Sequence, residues 1–128
     1  MRRKFTKLGI SIVALFTIMW SSNIVASAAT NYGPYWFATG DGQWDGKFTA
    51  RSGNNVRVYI NDWGGTTDWV KVRLCRIGGG CTIYKAIDLG EENTTTFTNM
   101  YPGTYYGDVA KVHNPRRQIK GKISFRVY

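Results

Sequence analysis

The sequence predicts an all-β fold, a compact antiparallel β-sandwich of about seven or eight strands, and three observations carry that reading. Short runs alternate apolar and polar residues, turns rich in glycine, asparagine or proline separate them, and after Ala29 no ten-residue stretch holds a 3.6-residue apolar period free of glycine and strong β-formers. A small β-barrel is the alternative that the same pattern allows.

The amino terminus precedes that pattern and differs from it. Arg2, Arg3, Lys4 and Lys7 lead into an apolar run from Leu8 to Trp20, followed by Ala26-Ser27-Ala28. A basic head, a short apolar helix and small residues at the end make a secretory signal peptide over 1–28. The run is well short of the roughly 20 residues that cross a bilayer. An uncleaved anchor is the competing reading, and Ser11, Thr17, Ser21 and Ser22 in or beside the run weigh against it. No Leu-x-x-Cys lipid-attachment pattern is present. Residues 29–128 are then one exported domain, large enough for a single modest core.

Its elements follow in order. Ala29 to Pro34 reads as a short leader, and Tyr35 to Thr39 has strand composition up to the turn Gly40-Asp41-Gly42. Gln43 to Ser52, with Trp44 and Phe48, is a weaker strand. After Gly53-Asn54, residues Val56, Val58 and Ile60 alternate with Arg57 and Tyr59, the pattern of a half-buried strand with one wet face. Asp62 to Thr67 is a loop. From Asp68 to Ile77, Val70, Val72 and Leu74 share one face while Trp69, Lys71, Arg73 and Cys75 share the other. Thr82 to Leu89 is the returning strand, with Ile83 in phase with Ile87, and Thr94 to Thr98 is a polar strand rich in β-branched residues. Thr104 to Val112 is another, with a bulge expected at Gly107-Asp108 to explain an apparent phase change. Asn114-Pro115 ends it, and Ile119 to Tyr128 alternates without a break.

Within this order, Thr94 to Val112, and especially Phe97-Thr98-Asn99-Met100-Tyr101-Pro102-Gly103-Thr104-Tyr105-Tyr106, resembles a segment of immunoglobulin-like and prealbumin-like bacterial surface modules. In those families a strand phenylalanine precedes a Pro-Gly turn and a tyrosine packs at the start of the next strand. The resemblance covers about a fifth of the exported chain and implies a binding or structural module with no catalytic residues. A tight Cys75 to Cys81 hairpin departs from the usual bridge between two sheets.

The two cysteines, Cys75 and Cys81, enclose Arg76-Ile77-Gly78-Gly79-Gly80. In an oxidising compartment a pair around a glycine reversal forms a disulfide clasp at a hairpin end, and the spacing is not the Cys-x-x-Cys of redox or zinc sites.

Little in the chain points to catalysis, so the expectation is a protein that is not an enzyme and needs no cofactor. His113 is the sole histidine, and no motif joins it to Ser52, Ser124 or Asp108 as a nucleophile and orienting acid would require. The acids sit beside turns, where short carboxylates bond to local backbone. Asp41 and Asp45 have the two-apart rhythm of a calcium loop without its full length.

Charge and aromatic content are more suggestive. The whole chain carries 17 Lys and Arg against 8 acids, and removing the four basic residues of the signal leaves 13 against 8, a net +5. Tryptophan and tyrosine are too many for a small core, and Trp44, Trp63 and Trp69, bordering loops, are the candidates for exposure. With Lys71, Arg73, Lys120, Lys122 and Arg126 they form the candidate binding set. The expected function is non-catalytic binding of an anionic extracellular or cell-envelope partner: a cell-wall polymer, a membrane surface or an acidic protein, with export arguing against intracellular nucleic acid. A secreted antimicrobial or membrane-active protein and a secreted inhibitor of a protein partner are the alternatives.

Overall fold

The computed structural model describes residues 28–64, 67–113 and 117–128. The signal-peptide assignment, Gly65-Thr66 of the predicted loop and the Asn114-Pro115 turn lie outside the described residues.

Among the described residues, eight strands form two four-stranded antiparallel sheets. They are β1 Thr30–Ala38, β2 Lys47–Ala50, β3 Val56–Asp62, β4 Trp69–Arg76, β5 Lys85–Asp88, β6 Thr94–Phe97, β7 Gly103–Lys111 and β8 Lys120–Val127. One sheet has the order β1-β8-β3-β6 and the other β2-β7-β4-β5, so the fold is a sandwich and not a closed barrel. The alternating patterns explain the packing. Val56, Val58 and Ile60 of β3 and Ile123, Phe125 and Val127 of β8 turn inward against Val70, Val72 and Leu74 of β4 and Tyr105 and Val109 of β7. Phe48 joins the sheets, with its ring centroid 4.7 Å from Phe125 and 5.3 Å from Tyr105. Tyr105 donates its hydroxyl to the Tyr101 carbonyl at 2.7 Å, so the tyrosine after the Pro-Gly turn also fastens that turn.

A side chain with an ionisable group closes each open side of the sandwich. On one side the Lys85 ammonium of β5 donates to the Thr96 carbonyl of β6 at 2.6 Å and lies over the Phe97 ring. On the other, Asp45, only 2% exposed, turns its carboxylate inward and accepts from the Val109 amide of β7 at 2.8 Å.

The strand map corrects the sequence reading in four places. Residues 30–34 belong to β1, which carries an irregularity between Tyr32 and Tyr35 beside a cis Gly33–Pro34 peptide. The bulge expected at Gly107-Asp108 is absent, since β7 pairs with β4 without a register shift from Lys111 to Tyr105. Gly107 simply occupies an inward position, where a Cβ would meet the Asp45 carbonyl at 2.5 Å and the Phe125 ring at 2.9 Å. The returning strand after the glycines is only Lys85–Asp88. There the Thr82 hydroxyl accepts the Leu74 amide at 3.0 Å, the pairing a strand would use, and Ile83 is left 76% exposed. Lastly, the weak strand at Gln43 to Ser52 shortens to Lys47–Ala50, and its first residues form the loop that carries Trp44 and Asp45.

Cys75 and Cys81 form the expected disulfide, closing the Gly78-Gly79-Gly80 turn. Closing so short a loop contributes roughly 2 kcal/mol through the unfolded chain.

Candidate functional site

Alternation sends one row of each strand to the outside, and on the β1-β8-β3-β6 sheet that row gathers the aromatic and basic residues. Trp36 of β1 pairs with Lys122 of β8, which pairs with Asn61 of β3. Trp63 follows β3 and donates its amide to the Lys120 carbonyl at 2.6 Å, placing it beside the start of β8. The two indoles stack across β8 with centroids 5.3 Å apart and planes 28° from parallel. They are 61% and 72% exposed, and the Lys122 ammonium sits 4.8 Å from the Trp36 ring centre. Stacked rings with a cation on one face and most of their surface exposed form an open platform.

The close approach beneath the platform depends on Gly121, where a Cβ would come into hard contact with the Asn61 carbonyl oxygen. A shallow recess of about 340 Å³ opens here, lined by Trp36, Asn61, Asp62, Trp63, Gly121 and Lys122. A neighbouring recess of about 330 Å³ shares both tryptophans and adds Asp41, Gln43, Trp44 and Lys120. Trp44 is 52% exposed and stacks on Tyr106 at 5.5 Å with planes 12° apart, which fixes its ring at the sandwich edge.

Two rows further along β8 is a different group. Arg57 of β3 and Arg126 of β8 are directly opposed partners, both exposed. They share a recess of about 290 Å³ with Ala29 and Tyr128. Arg57 Nε donates to the Thr96 hydroxyl at 3.4 Å, and Tyr59 first, then Tyr128, hold its pKa above the ordinary guanidinium value.

The candidate residues therefore divide. Trp63, Lys120, Lys122 and Arg126 share the outer face of one sheet, with Trp44 at its edge. Trp69, Lys71 and Arg73 lie on the other sheet and are not brought to them. Lys71 and Arg73 both lie over the Tyr84 ring, at 4.5 and 4.7 Å. Arg73 also pairs with Asp108 at 2.8 Å, which Tyr84 reaches with its hydroxyl at 3.0 Å. These cations serve a local network. Trp36 and Arg57 are absent from the candidate set, although alternation alone signals both, since an inward Phe37 forces Trp36 outward and inward Val56 and Val58 do the same for Arg57.

The Asp41 and Asp45 side chains turn to different surroundings. Asp41 accepts the Gln43 amide at 3.0 Å, a local turn contact, while Asp45 faces the interior. Burial raises the Asp45 pKa from 3.8 to about 7, opposed by the Val109 amide and aided by the negative charges of Asp41 and Asp108, with the Ala38 amide a smaller opposing contribution. Because Asp45 also donates its amide to the Gly107 carbonyl at 2.8 Å, it anchors the loop that presents Trp44.

No protein-family model matches the chain, and no curated protein matches its sequence. Among solved structures it is similar to Aeromonas hydrophila PliG, a periplasmic lysozyme inhibitor of g-type lysozyme, with a TM-score of 0.46 and 11% identity over 79% of this chain and 83% of that one.

Proposed function

We propose that this protein works by non-catalytic binding, presenting the outer face of the β1-β8-β3-β6 sheet to an anionic partner outside the cell or in its envelope. The single observation that carries the reading is the exposed Trp36–Trp63 stack with Lys122 against it. Exposed indoles supply contact area at low entropic cost, and the adjacent cations add attraction that weakens with salt. Co-sedimentation with cell-envelope fractions tests it. Replacing Trp36 or Trp63 by alanine is expected to weaken binding by about tenfold or more, as hot-spot tryptophans do. Trp69→Ala is expected to leave it unchanged. Equal binding by all three variants, or a loss confined to Trp69→Ala, contradicts the reading.

A second reading, a secreted inhibitor of a protein partner, has one observation in its favour. Ile77, Ile83 and Tyr101 are 55%, 76% and 75% exposed around the disulfide-clasped end of β4, a preorganised apolar tip of the kind that protein interfaces use.

A further inference from the structure

The opposed arginines raise a question that the tryptophan platform does not answer. Like charges directly across an antiparallel pair destabilise it. Among the described residues the ion pairs are Arg73–Asp108 and Lys111–Asp68, so no carboxylate lies within pairing distance of Arg57 or Arg126. Two guanidinium groups flank a recess whose other lining residues are Ala29 and Tyr128. Such forks fit a carboxylate, phosphate or sulfate, and an anion between them would relieve their repulsion.

We infer that the occupant of this face is an acidic polysaccharide lying along β8, with a sugar ring on the Trp36–Trp63 stack and a ring-borne anion between Arg57 and Arg126. The inference rests on the binding reading above and names its ligand class. Three features select this class. The platform and the arginine pair are separated by the four residue steps from Lys122 to Arg126, roughly 13 Å of strand, so one small anion cannot engage both. The face between them carries the half-buried Ser124 and Tyr59 as cross-strand partners, so hydroxyl groups lie on the path from one to the other. Finally, the platform is rimmed by Asp62, Asn61 and Gln43. The side-chain amides of Asn61 and Gln43 both donate to and accept from neutral sugar hydroxyls.

Binding of the purified protein to four soluble polymers, followed by calorimetry and tryptophan fluorescence, separates the contributions. The probes are alginate, dextran sulfate, unmodified dextran and polyphosphate. Alginate and dextran sulfate are expected to bind at least about tenfold tighter than dextran, with a fluorescence change that polyphosphate does not produce. Arg57→Gln or Arg126→Gln should remove most of the advantage over dextran and reduce the salt dependence. Each variant should also keep or raise the thermal midpoint, because it relieves a like-charge pair, whereas a merely structural arginine would lower it. Equal binding of charged and neutral dextran, unaltered alginate binding by both arginine variants, or an equal response to polyphosphate overturns the inference. If neither charged glycan binds while envelope fractions still bind in a Trp36- and Trp63-dependent way, the polysaccharide inference fails and the binding reading stands. Loss of envelope binding as well removes both.

Discussion

Phe125→Ala is expected to destabilise the protein by about 3 to 5 kcal/mol, a large part of the margin of a domain this size. Phe125 is 1% exposed and touches residues from both sheets, with its ring 4.7 Å from Phe48 and 6.3 Å from Tyr35. Two glycines make room for it. A Cβ on Gly46 or on Gly107 would come within 2.9 Å of the Phe125 ring. Removing the ring therefore opens a cavity bounded by backbone that has no side chain to fill it, which is the circumstance in which relaxation recovers least. A fall in thermal midpoint of roughly 15 to 30 °C is expected by calorimetry. Ile83→Ala, at a residue 76% exposed, should stay within about 0.5 kcal/mol. A small shift for Phe125→Ala would mean that the two sheets do not meet at this ring.

Asp45 supplies the second large effect, and its sign is unusual for a carboxylate. Its folded pKa is raised from 3.8 to about 7, chiefly by burial. Between those values the folded protein holds a proton that the unfolded chain has released, so stability is greatest at low pH in this window and falls as pH rises toward 7. A shift of about three units corresponds to roughly 4 kcal/mol across the window. Asp45→Asn keeps an oxygen for the Val109 amide and cannot ionise. Its stability in urea titrations is expected to change much less between pH 4.5 and 8, and at pH 8 it should exceed that of the parent. Asp68 contributes in the opposite sense at lower pH, because its bond to Lys111 lowers its pKa, so the comparison of variant with parent isolates Asp45. Parallel pH profiles for the two proteins would show that the Asp45 carboxyl is not held protonated.

These two effects also mark where local pattern stops informing. The inward residues of β3, β4 and β8 were legible because each strand alternates cleanly and one face is buried, so a slip of one residue would reverse every side chain. Gly107 misled that reading, since a glycine has no side chain to declare a face, and its inward position follows from Phe125 and Asp45, distant in sequence. Asp45 looked like a turn acid for the same reason. Only the packing of its loop against β7 buries it. Residues 82–84 have strand composition, but the Thr82 hydroxyl takes the Leu74 amide and diverts the chain. For the site, alternation places Lys120, Lys122 and Arg126 together on β8 from sequence alone. Grouping them with Trp36 and separating them from Trp69, Lys71 and Arg73 required the sheet order, in which β8 lies between β1 and β3 while β4 belongs to the other sheet.

Oxidative footprinting of the tryptophans, read by mass spectrometry with and without envelope fractions, tests the proposed binding face most directly. Trp36, Trp63 and Trp69 are all exposed in the free protein, so each reports on its own surface. Protection of Trp36 and Trp63 on binding, with Trp69 oxidised as before, is the predicted result. Protection of Trp69 while Trp36 and Trp63 remain reactive would place the partner on the opposite sheet and contradict the account.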